Sequence, residues 1–184
     1  ISFQADEPGL SHQFDMPDVP LPDDLEDETS LRKRFAKNLP PEYREMFARE
    51  RPMEVRPIDP GDFFNPTKRQ PFQNCWMRAR DGLPDDLRLH QCVLAYLSDW
   101  SLLDTALLPH AVSFTQGNMQ VASLDHAMWF HRPFRADEWL LFAQDSPSAS
   151  GARGFNRGLI YRRDGALVAS VAQEGLIRMH APVS

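Results

Sequence analysis

Cysteine is scarce in this sequence. The 184 residues carry two, Cys75 and Cys92, which make neither a disulfide framework nor a metal-ligand spacing. With Trp76 and Val93 beside them, both read as small buried hydrophobes, and nothing asks for an oxidising compartment, so a cytoplasmic protein is expected. No apolar run approaches the roughly 20 residues that would span a bilayer. Basic charge is short as well: the net charge is −6 and no basic stripe offsets it, which argues against a nucleic-acid partner. Arg32-Lys33-Arg34 sits among acidic residues and reads as a solvated helix face. There is no Gly-rich phosphate loop and no Gly-x-Ser-x-Gly elbow, so a serine-hydrolase reading lacks its main support. His126 and His131 lie five apart on one strand and on opposite faces, and His12 and His90 add no ligand spacing. Neither a metal nor a cofactor is expected.

What remains is an ordinary globular composition, 42% apolar and 25% charged in 21.1 kDa, enough for one domain with an extension. The chain begins at Ile1, and residues 1–5 have the character of a strand end, which needs a partner; they are expected to close a unit whose remainder lies upstream. Residues 6–30 are rich in Pro, Asp and Glu and predict an extended linker. Short helices are predicted over 29–38, capped by Thr29 or Ser30, and over 41–50, opened by Pro41. Strands are predicted over 53–58 and 73–80. Pro84-Asp85-Asp86 then opens the strongest helix, 86–108, in which Leu89, Val93, Tyr96, Trp100, Leu103 and Leu107 share a face. Leu94, Ala95 and Leu97 widen that stripe until the helix should be buried on nearly every side. Strands follow over 119–132, 138–145, 153–162 and 166–178, with Asp164-Gly165 as a tight hairpin turn. An antiparallel sheet curled around one buried helix is the hotdog arrangement, an α+β fold.

Two polar residues interrupt these apolar patterns. Asp99 has Ala95, Tyr96, Leu102 and Leu103 as its helical neighbours. A carboxylate there either faces a cavity, where removal from water would make it a better general base, or caps a break in the helix or bonds locally with Ser98 or Ser101. Asp104, ringed by Trp100, Leu107 and Leu108, is its control, and pattern alone does not choose between them. Gln173 sits in the strand row Leu167, Ala169, Val171, Ile177 and Met179; it either satisfies a buried main-chain group or orients a water or a carbonyl. Ser123 and Asp125 alternate onto one face with Trp129, opposite Leu124, His126, Met128 and Phe130. Ser123 by itself is a weak signal.

The run Leu124-Asp125-His126-Ala127-Met128-Trp129-Phe130-His131-Arg132-Pro133-Phe134 closely resembles the signature of the acyl-CoA thioesterase II family. Leu94-Ala95-Tyr96-Leu97-Ser98-Asp99, Ser148-Ala149-Ser150-Gly151-Ala152-Arg153-Gly154-Phe155 and Val168-Ala169-Ser170-Val171-Ala172-Gln173-Glu174-Gly175 complete the set. Members are double-hotdog enzymes. The resemblance implies that 1–5 is the last strand of an otherwise absent first hotdog, 6–50 a linker with short helices, and 51–184 the C-terminal hotdog. It also implies that Asp99, Ser123 and Gln173 are catalytic, activating a water against an acyl-CoA thioester, with Ser123 where many members have Thr. Asp104 matches no catalytic position. Arg132 and Arg153 are candidates for the coenzyme A phosphates, with surface solvation as the plainer alternative. Exposed sheet edges imply a homo-oligomer or pairing with another hotdog unit. The rivals are a hotdog enoyl-CoA hydratase or dehydratase, which would want a His with a carboxylate such as His126 and Asp125, and a non-catalytic acyl-CoA-binding module. Side chains at 125 and 126 should face opposite ways on a strand, which counts against the hydratase.

Overall fold

Alternating apolar residues build one antiparallel sheet whose two faces are covered by different material. The computed structural model describes residues 2–3, 5, 7–62, 64–114 and 118–180. Its elements are α1 (Glu28–Ala36), α2 (Pro41–Ala48), β1 (Met53–Pro57), β2 (Phe72–Ala79), α3 (Leu87–Ser98), β3 (Met119–Ser123), β4 (Ala127–Phe130), β5 (Leu140–Ser150), β6 (Arg153–Arg162) and β7 (Leu167–Met179). The sheet runs β1-β2-β5-β6-β7-β3, and β4 also pairs with β7. Of the strand expected over 1–5, residues 1 and 4 lie outside the described residues, as do 181–184 of the C-terminal unit; Ser2, Phe3 and Ala5 have no regular secondary structure.

The inner face packs on α3. Leu94 and Leu97 of the helix meet Met77, Phe142, Ile160 and Val171 of the sheet in the main core. This is the hotdog arrangement read from the sequence, with a shorter helix than expected. Asp86 caps α3 by accepting from the Arg88 N–H at 3.0 Å. The helix stops at Ser98, whose hydroxyl donates to the Ala95 carbonyl at 3.0 Å, a local bond that competes with the helical ladder. Apolar periodicity runs on past this point, but as 3-10 turns over Leu103–Ala106 and Leu108–His110. The buried stripe is also rotated from the expected one. His90, Leu94, Leu97 and Ser98 face inward, whereas Leu89 and Tyr96 are exposed. His90 is thereby accounted for, its Nδ1 accepting from the Ala136 N–H at 3.0 Å.

The turn over Leu103–Ala106 lies directly on the sheet because glycines let it. A Cβ on Gly175 would strike Leu103, and one on Gly154 would strike Ala106. Gln73 fastens the same segment by donating to the Ser101 carbonyl and the Thr105 hydroxyl, each at 2.8 Å. Asp104 lies between the two clamped residues and Asp99 just before them.

The outer face carries a second core of Trp76, Trp139, Leu141, Tyr161 and Leu167. Its cover is the linker: Met16, Val19 and Leu25 pack against it, and the Trp76 indole donates to the Pro20 carbonyl at 2.9 Å. Gln13 adds a two-way bond with the β6–β7 turn and the start of β7, giving to the Gly165 carbonyl and accepting from the Leu167 N–H. The linker is extended as expected, apart from a 3-10 turn over Pro22–Asp24. α1 starts one residue early, after Asp27, and neither Thr29 nor Ser30 caps it. Leu167 leaves the row predicted for it because the β6–β7 register shifts at Ile160 and Tyr161; Val168 takes the inner position instead. Cys75 is buried as expected, and burial pushes its thiol up to about 12, but Cys92 is exposed.

Candidate active site

The strand expected over 119–132 is broken, and the break builds the site. Ser123 pairs with Gly175 and Ala127 with Ala172, so three residues, 124–126, face two, 173 and 174. This is a bulge, which re-aims side chains and upsets the alternation on which any strand prediction depends. Asp125 pins it: its Oδ1 accepts from the Glu174 N–H at 2.7 Å. The carboxylate that a hydratase would need is therefore committed to backbone. His126, freed from strand alternation, swings back to the end of α3.

At that end stands Asp99, the residue after the last helical turn. Ser123 Oγ donates to Asp99 Oδ1 at 3.2 Å, and Gln173 Nε2 donates to the same oxygen at 2.5 Å. The three residues implied by the resemblance thus come from α3, β3 and β7 to one carboxylate. A carboxylate only accepts, so the amide of Gln173 must turn its nitrogen to Asp99. Its Oε1 is then left inward, and among the described residues it has no hydrogen-bond partner. Gln173 itself is fully buried, and its amide bonds a side chain, not the main-chain group that a core glutamine usually satisfies.

One expectation for Asp99 fails. Its side chain is 52% exposed, opening into a cleft of about 610 Å³ lined by Ala95, Tyr96, Trp100, Ser123, Leu124 and His126. The helix ends before it can bury the carboxylate among leucines. The desolvated aspartate is Asp104, in a separate recess of about 460 Å³ walled by Leu31, Phe47, Val55 and Leu107. Burial there, helped by the nearby charge of Glu28, pushes the Asp104 carboxyl up to about 7. Trp100 lines both spaces. It is held by the linker region, with the Arg51 guanidinium 3.5 Å above its ring and Arg51 paired to Glu28 at 3.6 Å.

Two residues of the site were read otherwise from the sequence, His126 as a partner for Asp125 and Ser98 as a local bond for Asp99. His126 Nε2 lies 2.9 Å from Ser98 Oγ, and its Nδ1 lies 3.8 Å from Asp99 Oδ1. Neither was legible without the bulge. Both candidate phosphate arginines have structural partners instead: Arg132 bonds the Leu167 carbonyl and Ser11, and Arg153 pairs with Glu174.

The family model for acyl-CoA thioesterase matches residues 43–176, most of the chain and the whole site. The chain belongs to the acyl-CoA thioesterase family. It is 45% identical to acyl-CoA thioesterase 2 of Haemophilus influenzae over 177 residues, covering 96% of this chain and 62% of that relative. It is 44% identical to acyl-coenzyme A thioesterase 8 of Mus musculus, with 100% and 59% covered. The crystal structure of an acyl-CoA thioesterase II from Mycobacterium marinum superposes with a TM-score of 0.73 at 44% identity, over 97% of this chain and 61% of that one. A hot dog fold protein from Alicyclobacillus acidocaldarius, at 20% identity and TM-score 0.67, shares the fold. The chain therefore spans about three-fifths of the length of these relatives.

Proposed function

We propose that this chain carries the water-activating site of an acyl-CoA thioesterase, hydrolysing the thioester to a fatty acid and coenzyme A. The observation that carries the reading is the convergence of Ser123 and Gln173 on one oxygen of Asp99. With Oδ1 held by two donors, Oδ2 is left to a water. Gln173 Oε1 accepts one hydrogen of that water, and Ser123 Oγ, whose own hydrogen goes to Asp99, fixes the carboxylate that takes the other. Asp99 removes the other hydrogen as the oxygen attacks the carbonyl, so no acyl-enzyme forms.

Coenzyme A leaves as a thiolate. If its thiol behaves like a free cysteine, with a pKa of about 8.5, it departs with little acid help. The developing oxyanion needs N–H donors. α3 does not supply them, because its end beside Asp99 is the C-terminal one, which presents carbonyl oxygens. The inner face of α3 is filled, with Leu94 and Leu97 packed against the sheet. The apolar recess beyond Trp100 suits the acyl chain better.

Pairing with a second hotdog unit, in the same or another chain, forms part of the proposal. β3 and β4 lie at the sheet edge with Leu124, Trp129 and Phe130 exposed. Residues 1–5 are read as the end strand of such a unit, 6–50 as the linker and 51–184 as the C-terminal hotdog. Among the described residues no helix is long and apolar enough to cross a membrane.

The test is Asp99→Asn assayed on palmitoyl-CoA by release of free thiol. Turnover near that of the unaltered protein would remove Asp99 as the base. Hydration of an enoyl-CoA without thiol release would favour the hydratase, and tight acyl-CoA binding without turnover the binding module.

A further inference from the structure

The site contains a proton acceptor that the water-activating scheme does not use. A serine hydroxyl has one hydrogen, and that of Ser98 goes to the Ala95 carbonyl. Toward His126 the same oxygen can only accept, so the hydrogen in their 2.9 Å contact sits on Nε2. A neutral histidine carries one N–H, and Nδ1 is then a bare acceptor. It is buried, has no hydrogen-bond partner among the described residues, and faces Asp99 Oδ1 at 3.8 Å. Two acceptors confront one another with no hydrogen between them, an unfavourable pairing that one added proton would turn favourable.

Such a proton arrives once per turnover, when Asp99 deprotonates water. We propose that His126 is the second station of that proton, a relay partner of Asp99 set in the right tautomer by Ser98. The inference rests on Asp99 being the base. A water O–H breaks, its hydrogen going to Asp99, while the oxygen bonds to the carbonyl carbon. The C–S bond then breaks with its electron pair leaving on sulfur. The proton passes from Asp99 to His126 Nδ1, and from the imidazolium to bulk water, from which the departed thiolate is protonated. Both residues return to their starting states. The proton is taken up on Oδ2 while Nδ1 faces Oδ1 across 3.8 Å, so the transfer runs through one bridging water. His126 acts through Asp99 and does not touch the substrate, which makes it a positioning residue with a proton-transfer duty.

The test uses the full-length protein, palmitoyl-CoA and thiol release. His126→Ala should lower kcat by about 10–100-fold with KM changed less than twofold, near the lower end of what a positioned proton-transfer group contributes. The cleft beside it should admit free imidazole, and added imidazole should restore kcat with saturation, while Asp99→Asn plus imidazole stays inactive. His126→Asn fills the space with an amide that hydrogen-bonds but does not carry the proton; it should share the loss and resist rescue. A kcat within twofold of the unaltered protein in either His126 variant overturns the relay, as does a loss in His126→Ala that imidazole leaves untouched. If His126→Ala does not fold, His126→Asn alone decides by its kcat. Turnover surviving in Asp99→Asn would instead sink the base assignment, and a dead Asp99→Asn beside a normal His126→Ala would sink only the relay.

Discussion

Asp99 and Asp104 stand five residues apart on the same turn of chain and live in opposite environments. Asp99 is half exposed and accepts two side-chain hydrogen bonds; Asp104 lines an enclosed recess that pushes its carboxyl up to about 7. By perturbation alone Asp104 is the better candidate for a general base, since shifted carboxyls cluster at functional sites. It lacks the company: among the described residues no hydroxyl-and-amide pair converges on it as Ser123 and Gln173 converge on Asp99. The contrast teaches that a base is made by the groups that hold its water, and that burial by itself makes only an expensive carboxylate.

The comparison can be broken by substitution. Asp99→Asn should lower kcat by about 10²–10³-fold, the scale of losing one positioned group in an active site, whereas Asp104→Asn should leave kcat within about twofold. Reversed outcomes in a thiol-release assay would exchange the roles of the two residues. Gln173→Ala removes both the donor to Asp99 and the acceptor for water, and a loss of about 10²-fold in kcat is expected. Ser123→Ala, which leaves the Gln173 bond in place, should lose only about tenfold, and Ser123→Thr should recover nearly all of it because the hydroxyl remains. Equal rates for Ala and Thr at 123 would deny the hydroxyl any part.

The smallest effect is on stability. Asp104 holds its proton in the folded state up to about pH 7 but releases it near the ordinary carboxylate value when unfolded. Between those limits the folded state binds more protons, so this group's contribution to stability falls as pH rises from about 4 to 7. Asp104→Asn removes that slope. Denaturant melts at pH 4.5 and 7.5 should therefore show the variant gaining on the unaltered protein at the higher pH; an unchanged difference would mean that Asp104 is not desolvated.

Much of the fold was legible because apolar periodicity is a direct imprint of which face is buried. The strand over 153–162 is where the pattern put it, and Asp164-Gly165 makes its turn, with Gly165 at φ 88°. The long helix was misread for a physical reason. Apolar residues continue past Ser98, but a side-chain bond to Ala95 ends the helix there, and Gly154 and Gly175, some fifty residues or more away, decide where the chain goes next. Gln173 was visible as a polar break in an apolar row. Ser123 was invisible without the family resemblance, and His126 was misplaced because a single extra residue at 124–126 resets the phase of everything after it. Local pattern does not encode that slip; it is fixed by the opposing strand.

The linker has a consequence of another kind. It covers the outer tryptophans without adding a helix or strand to do so, and it includes Pro17, Pro20 and Pro22. Proline has already surrendered one backbone torsion in the unfolded chain, so less disorder is lost when such a segment is laid flat. A seam of this kind is entropically light and needs few contacts to stay shut. Replacing these prolines with glycine would loosen one side of the sheet while leaving Asp99 and its partners untouched on the other, so the two faces could be tuned independently.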